Sequence, residues 1–115
     1  MHVLIIETEE IAAILEFLLK EDGHTTTILN EITDIRQIAA VNPDVVFAHE
    51  RNVTGFTGTD IIKQLKSYKL TKHIKTVLLS TRPDIRELFI EAQADAYLPK
   101  PFDIDQIPGL MQRLT

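Results

Sequence analysis

Four short apolar runs in this 115-residue chain end in side chains that can do chemistry. Ile5-Ile6 leads into Glu7-Thr8-Glu9, Val45-Val46-Phe47-Ala48 into His49-Glu50, Val77-Leu78-Leu79 into Ser80-Thr81, and Tyr97-Leu98-Pro99 into Lys100-Pro101-Phe102. Carboxylates, an imidazole, a hydroxyl and an ammonium thus recur where strands stop. A histidine in such company can accept a phosphoryl group on nitrogen, or bind a metal ion together with Glu7 and Glu50. Plainer readings stand beside these. His49 can be polar filler at a strand end, Glu50 a solvated loop carboxylate, and Glu9 and Glu10 charges that favour a helix N-terminus.

Composition narrows the field. A chain of 115 residues with 44% hydrophobic content suits one domain, residues 1–115, and two domains would each bury too little surface. The 17 acidic residues outnumber the 12 basic ones for a net charge of -5, which argues against a phosphate-backbone partner. No Lys/Arg cluster suggests a nucleic-acid face. The absence of cysteine excludes disulfide frameworks, thiolate metal sites and cysteine nucleophiles, and fits a reducing compartment. No apolar run approaches the roughly 20 residues that cross a bilayer. Met1-His2-Val3 leads straight into a strand instead of a signal peptide, so a cytoplasmic setting is expected, with no membrane partner.

The elements that must position the chemistry follow from hydrophobic period. Five apolar runs alternate with five helical patterns, and no repeat or linker divides them. Val3 to Ile6 reads as the first strand; Ile11, Ile14, Leu15, Leu18 and Leu19 then recur at helical spacing, with Thr8 placed to cap and Gly23 to end the helix. Thr25 to Leu29 is a more polar, edge-like strand. Asn30 is placed to cap a second helix with a buried stripe of Ile32, Ile35, Ile38 and Ala39, stopped by Asn42-Pro43. Asp44 to Ala48 is apolar on both faces, hence central. A loop from His49 to Gly58 follows, with Gly55 and Gly58 as hinges and Thr54 and Thr57 as polar fillers.

The third helix carries Ile61, Ile62 and Leu65, and Thr76 to Leu79 is the fourth strand. Asp84 with Glu87 reads as a capping pair for a fourth helix whose Ile85, Leu88, Phe89 and Ala92 share a face. Ala96 to Leu98 is a short fifth strand. Asp103 can cap the last helix, yet Pro108-Gly109 interrupts its pattern, so the helix is expected to start late, near Ile107 with Pro108 in its first turn, or to kink. With right-handed crossovers this order gives an α/β fold, a flavodoxin-like doubly wound sheet of five parallel strands in the order 2-1-3-4-5. Functional groups in such sheets collect at the carboxyl ends of the strands, where Glu7, His49, Ser80 and Lys100 fall.

These strand ends, with Pro43-Asp44, Ala94-Asp95-Ala96-Tyr97 and Lys100-Pro101-Phe102, resemble the receiver domain of bacterial two-component response regulators over essentially the whole chain. The resemblance implies phosphoryl transfer to an aspartate, with acidic side chains holding a divalent cation while a lysine and a hydroxyl receive the phosphoryl oxygens. Carried over residue by residue, Glu7 matches the first acidic position, Glu9 an acidic position after the pair, Ser80 the switch hydroxyl, Tyr97 the switch aromatic and Lys100 the lysine. The bond from Lys100 to Pro101 is usually cis in relatives. Gly58 matches the glycine that opens the third helix.

Two positions depart from the pattern. Thr8 replaces a metal-binding carboxylate, and His49 stands where the aspartate is expected. The loop to Gly58 is one residue longer than usual, so Glu50 can take the acceptor place instead, or face Lys100 as a permanent negative charge that imitates phosphorylation. Glu7, Thr8, His49, Glu50, Ser80 and Lys100 are therefore expected to form a vestigial phospho-site, with no resident cofactor and Mg²⁺ doubtful. The resemblance implies a non-enzymatic module that meets signalling proteins through its fourth helix, fifth strand and last helix, where Tyr97, Arg86 and Ile90 are the candidates and a homodimer is one arrangement. Two competitors remain: a metal or phosphoryl-transfer enzyme using His49 and Glu50, and a small-ligand or flavin binder. Against the second, Glu7 to Ile11 holds no glycine to cradle a phosphate.

Overall fold

The computed structural model describes residues 1–51 and 56–115, so the expected filler Thr54 and hinge Gly55 lie outside the described residues. Strands β1 (His2–Ile6), β2 (Thr25–Ile28), β3 (Val45–His49), β4 (Lys75–Ser80) and β5 (Ala96–Pro99) form one parallel sheet in the order β2-β1-β3-β4-β5. Period-2 alternation splits each central strand between two cores. Val3, Ile5, Val45 and Phe47 face helices α1 (Glu9–Glu21) and α5 (Gln106–Leu114), whereas Leu4, Ile6, Val46 and Ala48 face α2 (Arg36–Val41), α3 (Gly58–Ser67) and α4 (Ile85–Ala92). Each fully buried Leu or Ile contributes about 2 kcal/mol of apolar transfer, which is what holds helices on both faces. β2, whose threonines are only partly covered, lies at the edge as its polarity implied. No helix among the described residues is long and apolar enough to cross a membrane.

Several local expectations give way to better partners. Ile14 is 44% exposed, because Ala12, Leu15 and Leu19 take the buried stripe of α1. Thr8 occupies the N-cap position without a side-chain cap bond, while Gly23 ends the helix at φ +87°. Asn30 caps nothing: its amide donates to the Glu7 carbonyl at 3.0 Å, and α2 starts late with Ile35 at the cap. Ile32 and Ile38 remain buried, but Ala39 is exposed. The Asp84 carboxylate also makes no cap, since the Arg82 guanidinium takes both its oxygens at 2.9 and 2.8 Å.

At the C-terminus α5 does begin late, at Gln106, with Pro108 in the first turn, where its missing N–H has no helical partner to lose. Asp105, not Asp103, stands at the N-cap; the Asp103 carboxylate accepts the Asp105 N–H at 3.0 Å instead. Among the described residues the one side-chain cap falls on Thr57, expected as loop filler. The Thr57 hydroxyl accepts the Asp60 N–H at 3.0 Å, and the Asp60 carboxylate in turn accepts the Thr57 N–H at 3.2 Å, a capping box that fixes the start of α3.

Candidate functional site

Strand register brings the chemistry to one edge. Ile6 pairs with Ala48, His49 with Leu79, and Ser80 with Pro99, so β1, β3, β4 and β5 end nearly level. Glu7 follows β1, His49 closes β3, Ser80 closes β4 and Lys100 follows β5. The peptide bond from Lys100 to Pro101 is cis.

Three of these side chains interlock. The Lys100 ammonium donates to Glu7 Oε2 at 3.1 Å and lies 2.8 Å from His49 Nδ1, which is itself 3.4 Å from Glu7 Oε2. A ring nitrogen can accept from Lys100 or donate to Glu7 but not both at once, and the tautomer of His49 sets which. The other Glu7 oxygen accepts the Thr8 N–H at 2.8 Å. Glu7 is only 1% exposed. Burial works to raise its carboxyl pKa, but the contact with His49, the Thr8 N–H and the Lys100 charge outweigh burial and hold it below its ordinary value of 4.5.

Glu50 does not join this cluster. Its Oε1 accepts the backbone N–H of Thr59 at 2.8 Å and the Thr59 hydroxyl at 2.7 Å, at the first turn of α3, and its Oε2 lies 4.0 Å from the Arg82 guanidinium. Successive strand-end residues point to opposite faces, and Glu50 follows the parity of Val46 and Ala48 toward α3. Three expectations are thereby corrected. Glu50 is neither a charge facing Lys100 nor a co-ligand of Glu7 and His49, and no group of three His, Asp or Glu among the described residues is arranged to hold a metal. Nor is Glu50 a solvated loop carboxylate, at 5% exposure.

Thr8 is exposed, with its hydroxyl outside the cluster. Ser80 is buried, and its hydroxyl accepts the Arg82 N–H at 2.9 Å, while its carbonyl accepts the Lys100 N–H at 2.9 Å. A narrow cleft of about 140 Å³ opens between His49, Glu50, Ser80 and Arg82. Close packing reaches the backbone as well: a Cβ on Gly58 would stand 2.8 Å from the His49 carbonyl oxygen, so the glycine allows α3 to start against the end of β3. Asn30, Thr59 and Arg82 were missed as site residues. For Thr59 alone the sequence carries a signal: the box of Thr57 and Asp60 starts α3 at Gly58 and so leaves the Thr59 N–H in the first turn, without a helical partner.

On the expected interaction face, Tyr97 is half-buried with its ring 4.9 Å from that of Phe89, tilted by 48°. Arg86 and Ile90 are exposed, Ile85 is buried and Phe89 half-buried, as the stripe of α4 requires. A concavity of about 550 Å³ runs between α4 and α5 over β5, with Phe89, Tyr97, Gln106 and Arg113 in its walls. Beneath it, Asp95 accepts the Thr76 N–H and the Lys66 ammonium, both at 2.8 Å.

No family model matches the chain. The transcriptional regulatory protein YkoG of Bacillus subtilis is 28% identical over 109 residues, which is 92% of this chain and 47% of that one. The DNA-binding transcriptional regulator NtrC of Escherichia coli K12 is 31% identical over 105 residues, or 87% of this chain and 21% of that one. The chain thus spans half or less of the length of these relatives. Among solved structures, the receiver domain of the sensor histidine kinase PA1611 from Pseudomonas aeruginosa, with a magnesium ion in its active-site cleft, has a TM-score of 0.83 at 19% identity, covering 98% of this chain and 95% of that one. The signal receiver domain of a histidine kinase from Syntrophus aciditrophicus gives 0.83 at 22% identity, over 98% and 88%. The chemotaxis protein CheY4 of Vibrio cholerae gives 0.79 at 19% identity, over 99% and 97%. At these identities the solved structures establish the shared fold.

Proposed function

We propose that this chain, whose fold and relatives together support a response-regulator receiver domain, works in two-component signalling without the usual aspartyl phosphorylation. The observation that carries the reading is the Lys100 ammonium, held between the Glu7 carboxylate at 3.1 Å and the His49 ring at 2.8 Å. In a working receiver that lysine would be aimed at a phosphoryl group on a neighbouring carboxylate. Here its neighbour at the end of β3 is an imidazole, and the next carboxylate along the chain, that of Glu50, is committed to Thr59.

The donor set also does not fit a resident Mg²⁺, which wants several oxygens in near-octahedral array. Glu7 is the one carboxylate in the cluster, one of its oxygens accepts from a cation and the other from Thr8, and Thr8 itself brings no anionic ligand. On this reading Glu7, Thr8, His49, Ser80 and Lys100 are a retained but silent phospho-site, with Glu50 serving the fold. The output is then binding, not catalysis, inside the cell. The face of α4, β5 and α5 is the proposed contact for signalling proteins or a second copy, with Ile90 and Arg86 exposed on it and Tyr97 held half-buried by Phe89.

The test is direct. After incubation with a small-molecule phosphodonor such as acetyl phosphate and Mg²⁺, the intact mass is expected to stay that of the unmodified chain. A stoichiometric acid-labile adduct would overturn the reading, and its loss in His49→Ala would move the acceptor role to the imidazole.

A further inference from the structure

Charge in this chain is unevenly placed. Although acidic residues outnumber basic ones 17 to 12, the stretch from Lys63 to Lys75 holds Lys63, Lys66, Lys69, Lys72, His73 and Lys75 and no carboxylate at all. Scanned as sequence, cations three apart across a helix end and a loop do not read as a cluster. In the fold they run from the second half of α3 through its connection to the first residue of β4. Lys63 and Lys66 are engaged, by Glu91 at 3.4 Å and Asp95 at 2.8 Å. Lys69, Lys72, His73 and Lys75 are exposed, and no ion pair ties them to a carboxylate among the described residues.

Beside these cations, apolar surface is left open. Tyr68 is 52% and Leu70 83% exposed, the latter the most exposed large apolar side chain among the described residues. With Ile35 and Ala39 they wall a groove of about 520 Å³, and the Asp34 carboxylate at its edge is already bound to Arg36 at 2.6 Å. A concave apolar groove with Lys69 in its wall, and with Lys72 one turn on, its N–H bonded to the Tyr68 carbonyl at 2.8 Å, has the makings of a recognition site for a segment that is apolar on one side and acidic on the other.

We propose that this groove docks an acidic amphipathic helix of a partner protein, with its apolar side chains against Tyr68 and Leu70 and its carboxylates toward Lys69, Lys72 and Lys75. The sign of these exposed cations selects an acidic occupant. The net charge of -5 favours a short segment that feels only the local field over a nucleic acid or an anionic membrane, which would meet the whole molecule. β4 runs from Lys75 in this stretch to Ser80 at the other end of the strand, so the groove lies away from the cluster of Glu7, His49 and Lys100.

Fluorescence anisotropy tests it with a labelled helical peptide of about 16 residues, Asp and Glu on one face and Leu and Phe on the other. Its charge-reversed twin, a single-stranded oligonucleotide and phosphatidylserine vesicles serve as competitors. The acidic peptide is expected to bind, with its affinity lowered about tenfold in Leu70→Ser and in the pair Lys69→Glu, Lys72→Glu. Amide shifts should map to residues 35–39 and 68–75. Equal binding of the two peptides, or tighter binding of the oligonucleotide or vesicles, overturns the proposal. So does self-association that Leu70→Ser abolishes, which would make the occupant a second copy. The phosphodonor result is untouched by any of these outcomes.

Discussion

Glu7 and Glu50 are both buried carboxylates just beyond the end of a central strand, and their neighbours answer the cost of burial in opposite ways. Around Glu7 the answer is a counter-charge: the Lys100 ammonium, itself nearly enclosed, with the His49 ring beside both. Around Glu50 the answer is a helix start, where the Thr59 N–H and hydroxyl are uncharged donors and the dipole of α3 favours a negative group. The first arrangement needs the charge of the glutamate, because without it a buried ammonium is left uncompensated. The second needs mainly an acceptor oxygen. An amide in place of each acid therefore separates the two regions.

The largest effect is expected at the first. Glu7→Gln should cost about 3 kcal/mol at neutral pH in urea denaturation, since Lys100 loses its carboxylate partner. The same substitution carries a pH signature. Because the folded-state pKa of Glu7 is lowered, its stabilisation is fully present above the unfolded value near 4.5 and fades as pH falls through the lower folded value. Asp95 is also lowered, by Lys66 and Thr76 against the opposing pull of burial, and contributes an acid limb to both proteins. The difference curve between wild type and Glu7→Gln then isolates Glu7, and it should shrink on acidification. A constant difference down to low pH would break the counter-charge account.

An intermediate effect is expected where the two regions touch. Gly58→Ala places a methyl 2.8 Å from the His49 carbonyl oxygen and 3.0 Å from that of Ala48, both backbone, so the start of α3 must back away from β3. The expected loss is about 2 kcal/mol by thermal or chemical denaturation. Chemical shifts at Thr59 and Glu50 should move, as the cap between them is pulled apart.

The smallest is Glu50→Gln. The amide oxygen keeps both Thr59 bonds, so the loss should stay within about 1 kcal/mol. A loss equal to that of Glu7→Gln would show that the charge of Glu50, and not its acceptor oxygen, holds the start of α3.

The architecture was legible because it rests on repetition. Alternating apolar runs and helical stripes gave the element order, and the doubly apolar β3 and polar β2 gave centre and edge, which burial of Phe47 and partial exposure of the β2 threonines bear out. The late start of α5 was legible from Pro108, whose ring tolerates only a first turn. Caps were legible only in part. Asn30, Asp84 and Asp103 are all good capping types, but each found a partner that sequence spacing does not reveal: the Glu7 carbonyl, the Arg82 guanidinium and the Asp105 N–H. Thr57 and Asp60 carried the capping box three residues apart, a signal present in the sequence and read as loop filler.

By itself the sequence determined which residue types stand at the strand ends, and therefore that no aspartate follows Ala48. Alternation along β3 even carried the answer for Glu50, because its parity is that of Val46 and Ala48 and so of the face covered by α3. Only the tertiary structure decided that Lys100 reaches across from β5 to Glu7, 93 residues earlier, and meets His49 on the way. It also decided that Lys69 stands in the wall of an open apolar groove beside Tyr68 and Leu70. Both outcomes depend on strands and helices far apart in the chain coming level in space. Local periodicity specifies each element and the face it buries, whereas the partner of a long charged side chain is set by register between elements, which no single segment encodes.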